Sequence, residues 1–244
     1  MKHVVLATIV SLGTALAWAD DDHRNANCAG MPGEAQLKQW LQAAPNTGGD
    51  AGGLFHGRRM WGAIVNRDGE LCVAASSQSD PNNVWPASLA IAKAKAFTAN
   101  SLSLDDFALS TARLYTFTQP GHSLWSLGQS NLFDPKYLAA PGDAEKGKHQ
   151  ITGGLIFFGG GVPLYRNGKI IGGLGISGDT SCTDHEIAKR VRHLASLDPP
   201  ASLGGMLGDD IVYDLSVFAH PVCINTYKNG IFVGNEARAV YPRE

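Results

Sequence analysis

The chain carries four cysteines, Cys28, Cys72, Cys182 and Cys223, and six histidines spread between His56 and His220, and their spacing decides which chemistry is open to them. No Cys-x-x-Cys pair occurs, which argues against a redox dithiol and against a zinc ribbon. His56, His122, His149, His185, His193 and His220 include no pair spaced to set two zinc ligands on adjacent turns of one helical face. Gly173-x-Gly175-x-x-Gly178 formally satisfies the dinucleotide fingerprint, and Asp198 follows at the expected remove. That fingerprint must open a doubly wound parallel sheet, however, whereas the strand before Gly178 belongs to a hairpin and too few patterned segments follow. A Gly-x-Ser-x-Gly elbow, a His-Glu-x-x-His helix and a P-loop are all absent, and no base and nucleophile sit together in the sequence. The acid–base and nucleophilic enzyme classes therefore lack a sequence handle, and whether the chain is an enzyme stays open at this point.

The surroundings of these residues point to an oxidising compartment. Lys2 and His3 precede an apolar run from Val4 to Leu16, too short to span a bilayer, and Ala17-Trp18-Ala19 has the small-x-small form of a cleavage site. The expectation is a signal peptide over residues 1–19 and a polar leader over 20–32, giving a periplasmic or secreted protein with no membrane attachment after cleavage. Four cysteines in such a chain predict two disulfides. Of the three connectivities, Cys28 with Cys72 and Cys182 with Cys223 is favoured, because each pair ties a peripheral segment to the centre. With 20 basic and 22 acidic residues the formal charge is −2, which offers no footprint for nucleic acid or anionic lipid.

The elements that must position the site follow from periodicity and punctuation. Leu37, Trp40, Leu41 and Ala44 recur at helical spacing within Pro32 to Ala44. Trp61 to Asn66 and Glu70 to Ser76 read as strands joined through Arg67-Asp68-Gly69. Trp85 to Asn100, with Pro86 at its first position and six alanines, reads as a closely packed helix. Ser103 to Leu109 is expected to be a short capped helix and Leu114 to Thr118 a strand, while Gln119 to Thr152 has no clear period. Two apolar runs then flank Asn167-Gly168, the dipeptide of a type I′ hairpin, and Thr183-Asp184-His185-Glu186 reads as a capping box opening a helix that Pro199-Pro200 ends. Tight hairpins dictate antiparallel neighbours, so the fold class is α+β, a single antiparallel sheet with helices packed on it. The domain spans 33–198, and 199–244 is a C-terminal extension tied by a disulfide, with Ile211-Val212-Tyr213 as its one strand-like run.

One stretch carries a resemblance. Gly159-Gly160-Gly161-Val162-Pro163-Leu164, the Asn167-Gly168 turn, and Ile170-Ile171-Gly172-Gly173-Leu174-Gly175-Ile176-Ser177-Gly178, leading to the helix around Asp184, resemble the haem-degrading/GlcG-HbpS-like family, whose members include the C-terminal domain of PduO. Lys95-Ala96-Phe97-Thr98-Ala99 is similar to the family's Lys-Ala-x-Thr-Ala helix. The resemblance covers about Glu34 to Leu197, and the long loop and the cysteine-bearing tail depart from the shorter members.

The resemblance implies a layered α-β fold, homo-oligomers and haem or a related tetrapyrrole as ligand. Binding is better supported than turnover, since degradation needs a reductant that the sequence does not name. An axial ligand to haem iron is a single imidazole facing an apolar slot. His122 and His149, in the long loop beside Trp125, Phe133 and Tyr137, and His185, expected in a helix's first turn where N–H groups attract a propionate, are the candidates. Lys95 and Thr98, adjacent on one helix, with Gly160, Gly161 and Asp184, complete the candidate site. The blander readings are a solvated or capping histidine, an exposed lysine, a back-bonded threonine and glycines that serve backbone architecture. Two rivals stand beside haem binding: a GlcG-like accessory protein that takes a small acid through Lys95 and Thr98, and a cofactor-free structural or sensor-partner module.

Overall fold

A computed structural model describes residues 27–131 and 133–237. The signal-peptide reading lies outside these residues. Helix α1 (Glu34–Ala43) leads into the hairpin of β1 (Trp61–Asn66) and β2 (Leu71–Ser76). Helix α2 (Ser88–Ser101) follows, then the long loop with the short α3 (Trp125–Ser130), the second hairpin of β3 (Gly161–Arg166) and β4 (Lys169–Ser177), and α4 (Ser181–Leu194). The four strands form one antiparallel sheet in the order β2-β1-β4-β3.

Both faces of the sheet are covered. Along β1, Trp61, Ala63 and Val65 face α2, and Ile64 faces α1 and α4. That alternation is the period of a strand, and burial on both sides explains why β1 and β2 are apolar almost without interruption. Glycines set the spacing between α2 and β4. A Cβ on Gly175 would overlap the Ala92 carbonyl oxygen and one on Gly173 that of Ala96, so the glycine run of β4 lets an alanine-rich helix rest directly on the strand. This close approach, rather than a phosphate cradle, is what the formal Gly-x-Gly-x-x-Gly pattern serves.

The predicted turns form as expected: Asn167 and Gly168 have φ of 52° and 75°, the type I′ signature, and Gly69 takes a φ of 87° behind a register shift in β1. Several boundaries and two short elements differ. Ser103 to Leu109 is a turn, because the Ser103 hydroxyl engages both the N–H and the carbonyl of Leu109 (2.9 and 3.0 Å) and closes the chain on itself. Leu114 to Thr118 is 3₁₀ structure, Thr111–Leu114 and Thr116–Thr118, whose end the Thr118 hydroxyl fastens to the carbonyls of Leu114 and Tyr115. Helix α2 begins at Ser88, after Pro86, and α4 begins at Ser181, capped by Thr180 instead of Thr183. In the tail, Val212 makes a single bridge to Ala219, and a hairpin not expected from the sequence, β5 (Thr226–Lys228) and β6 (Ile231–Gly234), turns on Asn229 and Gly230. Both favoured disulfides, Cys28–Cys72 and Cys182–Cys223, are present. Among the described residues no helix is long and apolar enough to cross a membrane.

Candidate functional site

The triple glycine turn, α2 and the start of α4 meet at one buried point. Gly160 has a φ of 119°, and a Cβ there would lie 2.6 Å from Lys95 Nζ and 2.9 Å from the Asp184 Cβ, so glycine alone admits the turn at this spot. Lys95 Nζ donates to Asp184 Oδ2 at 2.7 Å and to the Ile176 carbonyl at 2.9 Å, and it lies 4.9 Å from the centre of the Phe158 ring. The side chains of Lys95 and Asp184 are 0% and 2% exposed. Burial pushes the Asp184 carboxyl up to about 6 against the opposing pull of Lys95, and burial lowers the Lys95 ammonium. Asp184 Oδ1 accepts the Asp179 N–H, and Gly161 donates its N–H to the Thr111 hydroxyl at 2.8 Å.

Lys95, Gly160, Gly161 and Asp184 are thus brought together as an internal ion pair under a glycine turn. Thr98 stands apart. Its hydroxyl donates to the Ala94 carbonyl at 2.8 Å and accepts the Ile156 N–H at 3.1 Å, which anchors the end of the long loop to α2.

The three candidate histidines are not brought together. His122 is exposed on the loop, next to the 42% exposed Trp125. His149 is half-buried on a left-handed backbone (φ 59°), with Nδ1 enclosed and unpartnered. His185 is 0% exposed, both ring nitrogens lack a partner, and burial depresses its pKa to about 3. Because α4 starts at Ser181, His185 lies beyond the first helical turn, and the free N–H groups of that turn do not lie beside it as the sequence suggested.

Two histidines outside that candidate set have defined roles. His220 accepts the Gly159 N–H at Nε2 (3.2 Å) and donates Nδ1–H to the Pro221 carbonyl (2.8 Å), fastening the tail to the triple glycine turn. It lies with Cys182 and Cys223 in a buried cluster of metal-ligand type, but the two sulfurs are joined to each other and both ring nitrogens are occupied. His193, 81% exposed in the last turn of α4, sets Nδ1 at 2.6 Å from Asp198 Oδ2. It borders a cleft of about 460 Å³ between α4, the Thr47 to Gly48 turn and Asn229 of the tail hairpin. Leu194 is the one apolar side chain of its lining, which also includes Glu186, Lys189, Arg190, Arg192 and Asp198. The charged heads of Lys189, Arg190 and Arg192 pair with Asp210, Glu186 and Asp209. The sequence signal for this site is a histidine closing a helix with an aspartate five residues on, too common a pattern to single out.

No curated protein matches the chain. Among solved structures, the haem complex of PduOC is 24% identical, with 65% of this chain and 88% of that chain covered and a TM-score of 0.44. The Klebsiella pneumoniae protein ORFY is 20% identical, covering 80% and 97%, with a TM-score of 0.43. A double mutant of Streptomyces reticuli HbpS is 16% identical, covering 78% and 98%, with a TM-score of 0.40. The sequence pattern of the family described as haem degrading protein HbpS-like matches residues 51–192, more than half of the chain. This protein belongs to that HbpS-like family.

Proposed function

We propose that this protein is a periplasmic or secreted haem-binding protein. The observation that carries the reading is the family match over residues 51–192, which contain the triple glycine turn, the Lys95–Asp184 pair and most of α4. The chain offers exposed imidazoles suited to ligate iron, His122 in the long loop among them. Bound haem would supply a redox-active iron; the chain's own contribution would be such an imidazole. His122 and His149 stay reachable in the long loop, whereas His185 has no exposed surface.

The two disulfides support the oxidising compartment, and Cys182–Cys223 supports treating 199–244 as an extension fixed to a domain over 33–198. Assembly into homo-oligomers belongs to the same proposal and is checked by light scattering with and without ligand. The small-acid alternative loses support from the geometry, because the Lys95 side chain is 0% exposed and already donates to Asp184 and to a carbonyl. Gel filtration after incubation with haemin, followed by pyridine haemochrome assay of the protein peak, tests the reading. Haem co-eluting in a fixed ratio to chain is expected, and a protein peak free of haem would overturn it.

A further inference from the structure

We propose that the cleft of about 190 Å³ beside Phe55 and Trp85 binds a small aromatic carboxylate, with the ring against these two side chains and the carboxylate on Arg59. This site is independent of haem. It holds no imidazole, and it is smaller than the roughly 300 Å³ at which sites for drug-sized ligands begin. Phe55, Val84, Trp85 and Pro86 give the lining an apolar side, and Arg59, Asn82 and Asn83 give it a polar side without a carboxylate. The Phe55 and Trp85 rings meet edge to face at 5.4 Å, and Trp85 stays 47% exposed. The Arg59 guanidinium carbon lies 4.7 Å from the centre of the Phe55 ring, and its N–H groups have neither a carboxylate nor another acceptor among the described residues. A guanidinium resting on a ring keeps its N–H groups in its own plane, where they match the two oxygens of a carboxylate.

Both walls are fixed without a ligand. The buried Asp179 carboxylate accepts the N–H groups of Leu54, Phe55 and Gly57 at 2.6, 2.8 and 3.2 Å, which pins the loop that carries Phe55 and leads into Arg59. On the other side Asp80 accepts the Asn82 N–H at 2.9 Å and its side-chain amide at 3.0 Å, closing the Pro81–Asn83 turn, and Val84 packs into the core with Trp61 and Leu89. A site held in place in this way loses little freedom when it is filled. The same contacts decide the ligand class. Because Asp80 already engages the Asn82 amide, few donors remain for the several hydroxyls of a sugar, whereas four apolar side chains and one unmatched cation suit a flat ring bearing one negative charge. The other clefts lack this combination. In that of about 460 Å³ Arg190 and Arg192 are matched by Glu186 and Asp209, and that of about 300 Å³ around His56 includes Asp50 in its lining.

The test is titration of the full chain with benzoate, benzamide and glucuronate at concentrations up to the millimolar range, read from the indole N–H resonance of Trp85 in NMR spectra and assigned through Trp85→Phe. Arg59→Gln is titrated in parallel; the side chain is exposed, so the fold should persist, which circular dichroism checks. Benzoate should give a saturable shift. Benzamide, which keeps the ring but loses the charge-assisted pair, should bind about 10-fold or more weakly. Arg59→Gln should bring benzoate down to the affinity of benzamide and leave benzamide unchanged, and glucuronate should give no saturable shift. Equal affinities for benzoate and benzamide in the wild type would overturn the proposal whatever the variant does. So would a benzoate affinity unchanged in Arg59→Gln, or the absence of any saturable shift with benzoate. Saturation by glucuronate and not by benzoate would overturn it in favour of an acidic sugar. No arm uses haemin, so either result leaves the haem reading where its own experiment puts it.

Discussion

Both ring nitrogens of His185 are enclosed without a partner, and burial holds its pKa at about 3. An orphaned buried polar group costs about 1–3 kcal/mol. His185→Leu should therefore leave the protein as stable at pH 7 or stabilise it by about 1–3 kcal/mol, measured by urea unfolding. The acid dependence follows from the same depression. The unfolded chain takes up a proton at this histidine as pH falls through 6.5, while the folded chain does so only near 3. This titration therefore leaves stability unchanged above 6.5 and lowers it at about 1.4 kcal/mol per pH unit as pH falls from 6.5 towards 3. His220, depressed to about 4, acts in the same direction. The leucine variant should lose stability less steeply between pH 6.5 and 4, and parallel curves would contradict the account. At the Lys95–Asp184 pair the expectation is opposite in kind: Lys95→Met leaves a buried carboxylate unmatched and should cost about 3–5 kcal/mol, and adding Asp184→Leu should recover most of it. The sequence offers Lys95 and Asp184 as ligand contacts because it shows side-chain chemistry but not which groups satisfy each other across the fold.

At the scale of elements, the strongest local signals match the structure. Asn167-Gly168 and Arg67-Asp68-Gly69 specify their turns through backbone angles that few other residues adopt. A Cβ on Gly168 would meet only the Pro200 ring at 3.9 Å, so Gly168→Val isolates conformational strain from crowding and should cost about 1–3 kcal/mol in thermal unfolding. Gly175→Ala is the converse, with an ordinary strand backbone and no room, and should destabilise by about 4 kcal/mol or more. An unchanged melting temperature in either variant would contradict the geometry. The elements that differ from expectation are those where a side chain overrides local propensity. Ser103 and Thr118 commit their hydroxyls to nearby backbone groups, and a pattern that reads as helix or strand becomes a turn. The Asn229-Gly230 turn carries the same signal as the central hairpin, but its strands, Thr226–Lys228 and Ile231–Gly234, are too short to show a period.

Across the whole molecule, the tail closes over α4 through Cys182–Cys223, the Lys189–Asp210 pair and His220, and it supplies Asn229 to the cleft. Each disulfide closes a loop of about forty residues, so removing either by a double serine substitution should cost up to roughly 4 kcal/mol. The pairing is legible in the sequence because each bridge joins a peripheral segment to the centre. The cleft is not, since its walls come from the Thr47 turn, α4 and the tail hairpin, segments brought together only by the fold. The most direct test of the account is the haemin titration of the unmodified chain, monitored at the Soret band. A saturable shift with a fixed stoichiometry, retained through gel filtration, is the predicted result; a linear rise indistinguishable from free haemin would contradict haem binding.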